Sequence, residues 1–467
     1  MHIPDYILLL TAILTPQVTA APTSNKNSTY LTDELHRTLQ YNPDTDLYKF
    51  QNVRYGQSPT GDLRFRAPQS PIESGKVVQT GTGTRICPQG QPQWQAKTLM
   101  AIGKYSNLKA PFTLEGWVEA IENGMVPPGY INANATEDCL LLDVHIPKKV
   151  LKAAGTKNKE SVPVLVFAQS AFNQDFVFVT LNCRLGAFGW LNSAKVLADG
   201  DANAALLDQR FVLQWDQDNI HLFGGSKDHV TIMGEPGGRS PVLRHLIAAG
   251  TKCKSTKKLF QQAISQSPAD IPITAFPYIN YIQALFIKLI KVIAIYNIFK
   301  GSFLFNLNIE INKDFNKGRL VKKVYPLIYN RFLGYMDIST RQIRVWGESA
   351  IDYAFNAISQ ATKDKSYAYK STKRLAQDTS IAKNEFGVSP GFHIQDLFYT
   401  FGTPATAMRP PQRSLQLAIA SFVLKGMSVL EGRKEFPIFG DEGLLVDITA
   451  AGAMPSVPDN LNKTRSK

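Results

Sequence analysis

The stretch that decides the fold class is Val230-Thr231-Ile232-Met233, then Gly234-Glu235-Pro236-Gly237-Gly238, then Pro241–Ala249. The first four residues are a short apolar strand, the next five a glycine-bounded turn, and 241–249 a helix. Upstream, Asn203–Asn219 carries Ala204, Leu207, Phe211 and Trp215 at helical spacing and is stopped by Phe223-Gly224-Gly225. Further upstream, Val162–Phe167 and Phe176–Leu181 are largely apolar runs of strand length, the pattern of buried parallel strands. Residues 30–270 therefore read as one alternating β/α region, and the fold class is α/β.

Composition sets the outer limits. The 467 residues are enough for roughly three domains at about 150 residues each, although single α/β domains run longer. Hydrophobic residues make up 44% and charged residues 19%, which supports a sizeable core and excludes wholesale disorder. A formal net charge of +13 invites a nucleic-acid reading, but residues 281–330 hold eight Lys/Arg against Glu310 and Asp314 and so supply +6 of it. The remainder shows no interleaving of arginine and aromatic residues, so no nucleic-acid partner is expected. No His/Cys/Asp cluster has metal spacing and no glycine-rich phosphate loop is present, so neither a metal nor another cofactor is expected.

The first 20 residues read as a secretory signal peptide. The apolar run Tyr6–Leu14 precedes Val18-Thr19-Ala20, a small-residue cleavage site, although Asp5 and no basic residue stands before the run. Three sequons, at Asn27, Asn134 and Asn462, fit a secreted, extracellular destination. So do Cys87 and Cys139, which flank a 51-residue loop and form a plausible disulfide, while Cys183 and Cys253 have no obvious partners.

Three segments then carry a specific likeness: Tyr55-Gly56-Gln57-Ser58-Pro59-Thr60-Gly61-Asp62-Leu63-Arg64-Phe65, Glu137-Asp138-Cys139-Leu140-Leu141-Leu142-Asp143-Val144, and Asn182-Cys183-Arg184-Leu185-Gly186-Ala187-Phe188-Gly189. With Asn203–Arg210 and Gln217–Gly225 they resemble, in order, the landmarks of type-B carboxylesterases, the family of cholinesterases and fungal secreted lipases. The similarity resumes near Val324 and continues to about residue 465. The resemblance implies an α/β-hydrolase fold, with a central mostly parallel sheet flanked by helices, a carboxylic ester or lipid substrate, and a Cys87–Cys139 disulfide. It also implies a single domain over 21–467, disrupted in the middle at about 275–325.

Such hydrolysis needs a serine nucleophile, a histidine base, an orienting carboxylate and donors for the oxyanion. In the family the serine sits in a Gly-Glu-Ser-Ala-Gly elbow; the matching residues here are Gly234, Glu235, Pro236, Gly237 and Gly238. Pro236 has no hydroxyl, and its ring locks φ near −65°, which the strained elbow does not accommodate. Gly237 keeps an N–H at the position of one oxyanion donor. The family's His-Gly-Gly-Gly loop is missing: Phe167 passes through the eight residues 168–175 into the next strand, fewer than the dozen or so a parallel crossover normally takes. His393, in Ser389-Pro390-Gly391-Phe392-His393, matches the catalytic base. No carboxylate before it is recognisable. Gly440-Asp441-Glu442-Gly443 follows His393, in the wrong chain order for the acid, and reads as a surface turn before the strand-like Leu444-Leu445-Val446.

Two further stretches stand apart. Gly347-Glu348-Ser349-Ala350 repeats four elbow residues, which makes Ser349 an alternative nucleophile, but Ile351 follows and the preceding Arg341, Gln342 and Arg344 are too polar for a central strand. In residues 281–320, 25 of the 40 are Ile, Lys, Asn, Phe or Tyr. That bias towards A/T-rich codons fits translated non-coding sequence. The alternatives are an amphipathic lid, and a spanning helix over Ile279–Phe299, which Gln283, Lys288, Lys291 and Asn297 make expensive, so no stable membrane span is expected.

Overall fold

The computed structural model describes residues 39–43, 45–72, 79–83, 85–88, 134–154, 161–166, 175–192, 194–234, 239–250, 258–266, 365–371, 410–432, 436–448 and 455–458. Seven strands form the main sheet: β1 (Gln40–Asn42), β2 (Leu47–Arg54), β3 (Leu141–Pro147), β4 (Val162–Val166), β5 (Val177–Leu181), β6 (Gly225–Gly234) and β7 (Gln262–Ser265). Their order is β1-β2-β3-β5-β4-β6-β7. The first three join by antiparallel pairing, whereas β5, β4, β6 and β7 are parallel neighbours. Among the described residues, six helices accompany the strands: α1 (Lys148–Ala154), α2 (Gly186–Trp190), α3 (Ala194–Ala198), α4 (Ala204–Asn219), α5 (Arg239–Gly250) and α6 (Pro410–Lys425).

Alternation along the parallel strands builds two cores. Val164, Val166, Val177, Val179, Val230 and Ile232 face one side, where Val212 and Leu213 of α4 and Val242 of α5 cover them. Leu165, Phe176, Phe178 and Met233 face the other, against Leu415, Ile419, Ala420 and Val423 of α6. Both faces of these strands are apolar because both are covered by helix, the reason the runs read as continuous rather than alternating. The result is an α/β-hydrolase fold. A second sheet, in order β10-β9-β8, joins β8 (Tyr369–Ser371), β9 (Leu444–Ile448) and β10 (Ser456–Pro458).

Three sequence-based boundaries change. The strand expected over Val230–Met233 starts at Gly225, because exposed Lys227 and Asp228 make its first half polar. Gly224, at φ 80°, ends the preceding 3-10 turn (Ile220–Phe223), and a Cβ on Gly225 would lie 2.7 Å from Ile220 and 2.8 Å from Val164. The helix expected over Pro241–Ala249 begins two residues earlier. The short β4–β5 connection does not prevent parallel pairing. Val177 pairs with Val164 and Val179 with Val166, so the chain retreats by only two residues. At ordinary strand spacing that gap is roughly 8 Å, which residues 167–176 can span.

Candidate active site

Parallel α/β sheets bind their ligands beyond the carboxyl ends of the strands, where the loops converge. Here β4 ends at Val166 and β6 at Gly234, and the two strands are neighbours. Gly234 pairs with Ser265 of β7, and the Gln266 N–H donates to the Gly234 carbonyl at 3.1 Å. From Gly234 the chain reaches Arg239, the start of α5, in four residues. The strand ends that precede residues 167–174 and 235–238 therefore lie at the same edge of the sheet. Glu235, Pro236, Gly237, Gly238, Ser349 and His393 lie outside the described residues, as do residues 1–20, Asn27, Asn462, Cys253 and the segment 275–325.

Behind this edge lies a buried polar layer. Arg184, two residues past Asn182, is 2% exposed and Asp208 of α4 is fully buried. Arg184 donates to Asp208 through Nε (2.9 Å), a terminal nitrogen (2.5 Å) and its backbone N–H (3.0 Å), and through its other terminal nitrogen to the Arg64 carbonyl (3.1 Å). Burial pushes the Asp208 carboxyl up, and the Arg184 hydrogen bonds and charge pull it back. The pair ties the Gly61–Phe65 segment, the exit of β5 and the start of α4 into one unit. That physical job accounts for Arg184 and Asp208 in the recognised motifs, whereas Arg64 lends a backbone carbonyl and its side chain pairs with Glu137.

Next to Asp208 on α4, Gln209 sits between buried His245 and half-buried Cys183. His245 Nε2–H of α5 donates to Gln209 Oε1 at 3.2 Å, and Gln209 Nε2 donates to Cys183 Sγ at 3.5 Å. Burial, with the Arg210 charge adding, lowers His245 to about 4, so the imidazole is neutral. Burial raises Cys183 to about 12 despite the Gln209 hydrogen bond, so it is a thiol rather than a nucleophilic thiolate. Tyr55, also pushed far up by burial, donates to the Asn182 carbonyl at 2.7 Å. These groups hold the loops in place; none presents a nucleophile. Sequence reading missed the Gln209–His245 link because the partners are 36 residues apart and meet only when α4 and α5 pack on one sheet face.

Away from the edge, Cys87 and Cys139 are joined, with Cα atoms 5.1 Å apart. Asn134, five residues before Cys139, lies on a half-buried turn whose carbonyl accepts from the Ile86 N–H at 3.1 Å. Asp441 and Glu442 are exposed in a turn between Gly440 and Gly443, directly before β9, as the surface-turn expectation has it. Among the described residues, no group of His, Cys, Asp and Glu could hold a metal ion, and no helix is long and apolar enough to cross a membrane.

A family model described as the carboxylesterase family matches residues 37–277, which span β1 to β7 and include residues 167–174 and 235–238. The chain belongs to the carboxylesterase family. The carboxylesterase patB of Aspergillus clavatus is 32% identical over 299 residues, covering 57% of this chain and 52% of that protein. A secreted triacylglycerol lipase of Gibberella zeae is 30% identical over 246 residues, covering 48% of this chain and 38% of that one. The chain spans about half the length of the curated relatives it matches. In structure, EstA of Aspergillus niger aligns with a TM-score of 0.63 at 19% identity, over 94% of this chain and 98% of that one, a likeness that bears on the fold.

Proposed function

We propose that this carboxylesterase-family chain is a secreted glycoprotein that does not hydrolyse carboxylic esters. One observation carries the proposal: Pro236 stands at the nucleophile position, between β6 and α5, in the Gly234–Gly238 segment that matches the family's elbow. Proline supplies neither the attacking hydroxyl nor the backbone freedom the elbow uses. The His-Gly-Gly-Gly oxyanion loop is missing from sequence between β4 and β5, and loss of a single such donor costs about 10²–10³ in rate. Gly237 and His393 survive as remnants of a site for carboxylic esters or lipids. Support for secretion comes from the apolar leader, the sequons at Asn27, Asn134 and Asn462, the Cys87–Cys139 bridge and a relative named as a secreted lipase.

The test is labelling by a serine-directed fluorophosphonate together with turnover of short- and long-chain esters. We expect no labelling, and turnover at background for both the chain and Pro236→Ser, because groups that act as a unit are not rescued one at a time. Labelling that disappears in Ser349→Ala would make Ser349 the nucleophile and replace this reading with that of an active hydrolase. Strong turnover by Pro236→Ser would show that the oxyanion donors and the acid are intact.

A further inference from the structure

Asp216 stands on α4 where the helix faces the sheet. One turn to either side, Val212 and Ile220 are fully buried members of the main core, and Leu213 on the same face is 1% exposed. Asp216 itself has no exposed surface, and both of its carboxylate oxygens are buried without a hydrogen-bond partner. An isolated carboxylate in an apolar core costs far more than its neutral acid, so such a group takes up a proton rather than ionise in place. The charges on the elements around it are turned elsewhere. Asp208 on α4 is bound by Arg184, and Arg210 and Asp218 of the same helix are exposed. On α5, His245 faces Gln209 and Arg244 is half-buried; His221 of the 3-10 turn is exposed, and α2 carries no titratable side chain. On β6, Lys227 and Asp228 are exposed and His229 is half-buried. Burial alone pushes the Asp216 carboxyl far above the ordinary carboxylate range, with no charged neighbour contributing.

We propose that Asp216 is a built-in pH switch of the fold: the native core holds it as the neutral acid, and its ionisation loosens the packing of α4 on the parallel sheet. The unfolded chain releases this proton near the ordinary carboxylate pKa, whereas the folded chain keeps it. Stability from this group is therefore complete below the ordinary carboxylate range and is lost progressively as the pH rises above it. The device is independent of whether the site turns over esters.

The test compares urea unfolding of the full chain with that of Asp216→Val, which removes the acid, and Asp216→Asn, which keeps its size without titrating. One proton held only by the folded state raises the unfolding constant by up to about tenfold per pH unit. Between pH 5 and pH 8 we expect the ratio of unfolding constants, chain over either variant, to rise by at least about tenfold. A ratio that stays constant within about twofold overturns the proposal. A second readout needs no folded Val variant: the infrared carbonyl band of a protonated carboxyl should be present in the native chain at pH 7 and absent in Asp216→Asn. Absence of that band from the native chain also overturns it.

Discussion

At the scale of single residues, the buried Arg184–Asp208 pair does the most structural work near the site. Its gain over an apolar pair of the same shape is small, because desolvating two charges offsets their attraction. Breaking it is another matter, since three donors of Arg184 meet Asp208 and a fourth meets the backbone carbonyls of Leu63 and Arg64. Asp208→Asn leaves the Arg184 guanidinium buried without a counter-charge, and we expect a loss of about 3–5 kcal/mol in unfolding free energy. Replacing both partners, with Arg184→Met and Asp208→Leu, should recover much of that loss. Denaturant midpoints of the three proteins measure it. Equal stability of Asp208→Asn and the unmodified chain would show that the pair is solvated rather than buried.

Between elements, the close approach of α2 to the loop before it and to α4 explains a glycine of the Asn182–Gly189 motif. A Cβ on Gly189 would lie 2.2 Å from the Arg184 carbonyl oxygen and 2.9 Å from Ala205 Cβ, both fixed by backbone. Gly189→Ala should therefore destabilise by about 1–3 kcal/mol through overpacking. Gly61→Ala, at φ +55° with nothing within 4 Å, should cost less, about 1 kcal/mol of backbone strain. Thermal unfolding of the two variants compares them, and a smaller loss at Gly189 refutes the packing argument. Legibility followed the same physics. Val162–Val166, Val177–Leu181 and Ala204–Asn219 could be read from sequence because apolar runs and helical spacing are local properties. The first half of β6 and strand β2 were hidden by polar residues: Lys49 pairs with His145 in the sheet, while Asn52 of β2 and Lys227 and Asp228 of β6 lie where the pairing register shifts. In α4 the spacing was right but the buried face was rotated. Leu207 and Phe211 are only half-buried, while Ala205, Asp208, Gln209, Val212 and Asp216 face inward. Asp208 and Gln209, bonded to distant partners, and the unpartnered Asp216 occupy positions that a count of apolar side chains assigns to solvent. At the site, the end of β6 at Gly234 was legible from the apolar run before it. The acid that should orient His393 was not, because no carboxylate upstream of it stands in a motif.

For the whole molecule, three buried titratable groups set opposing pH dependences. His145, next to Lys49 in the sheet, and His245 are both lowered to about 4, chiefly by burial. Their folded values lie below the unfolded value of 6.5, so the stability they contribute is complete above that value and is lost as the pH falls towards about 4. Each accounts for on the order of 3 kcal/mol at most. Asp216 runs the other way, losing stability as the pH rises from the ordinary carboxylate range. On the acid side two histidine protons outweigh one carboxyl proton, and above about pH 6.5 the carboxyl acts without opposition from the histidines. From these three groups alone the thermal midpoint would peak near pH 6.5 and decline on both sides. His245→Gln keeps a donor for Gln209 but does not titrate, so it should flatten the acid limb and leave the alkaline limb unchanged. Asp216→Val should steepen the acid limb, where the carboxyl no longer opposes the histidines, and turn the alkaline decline into a plateau up to about pH 9, where burial of the Cys183 thiol begins to count. Asp208 is present in all three proteins and cancels in the comparison. An acid limb equally steep in the chain and in His245→Gln would mean that the imidazole already carries its proton in the fold.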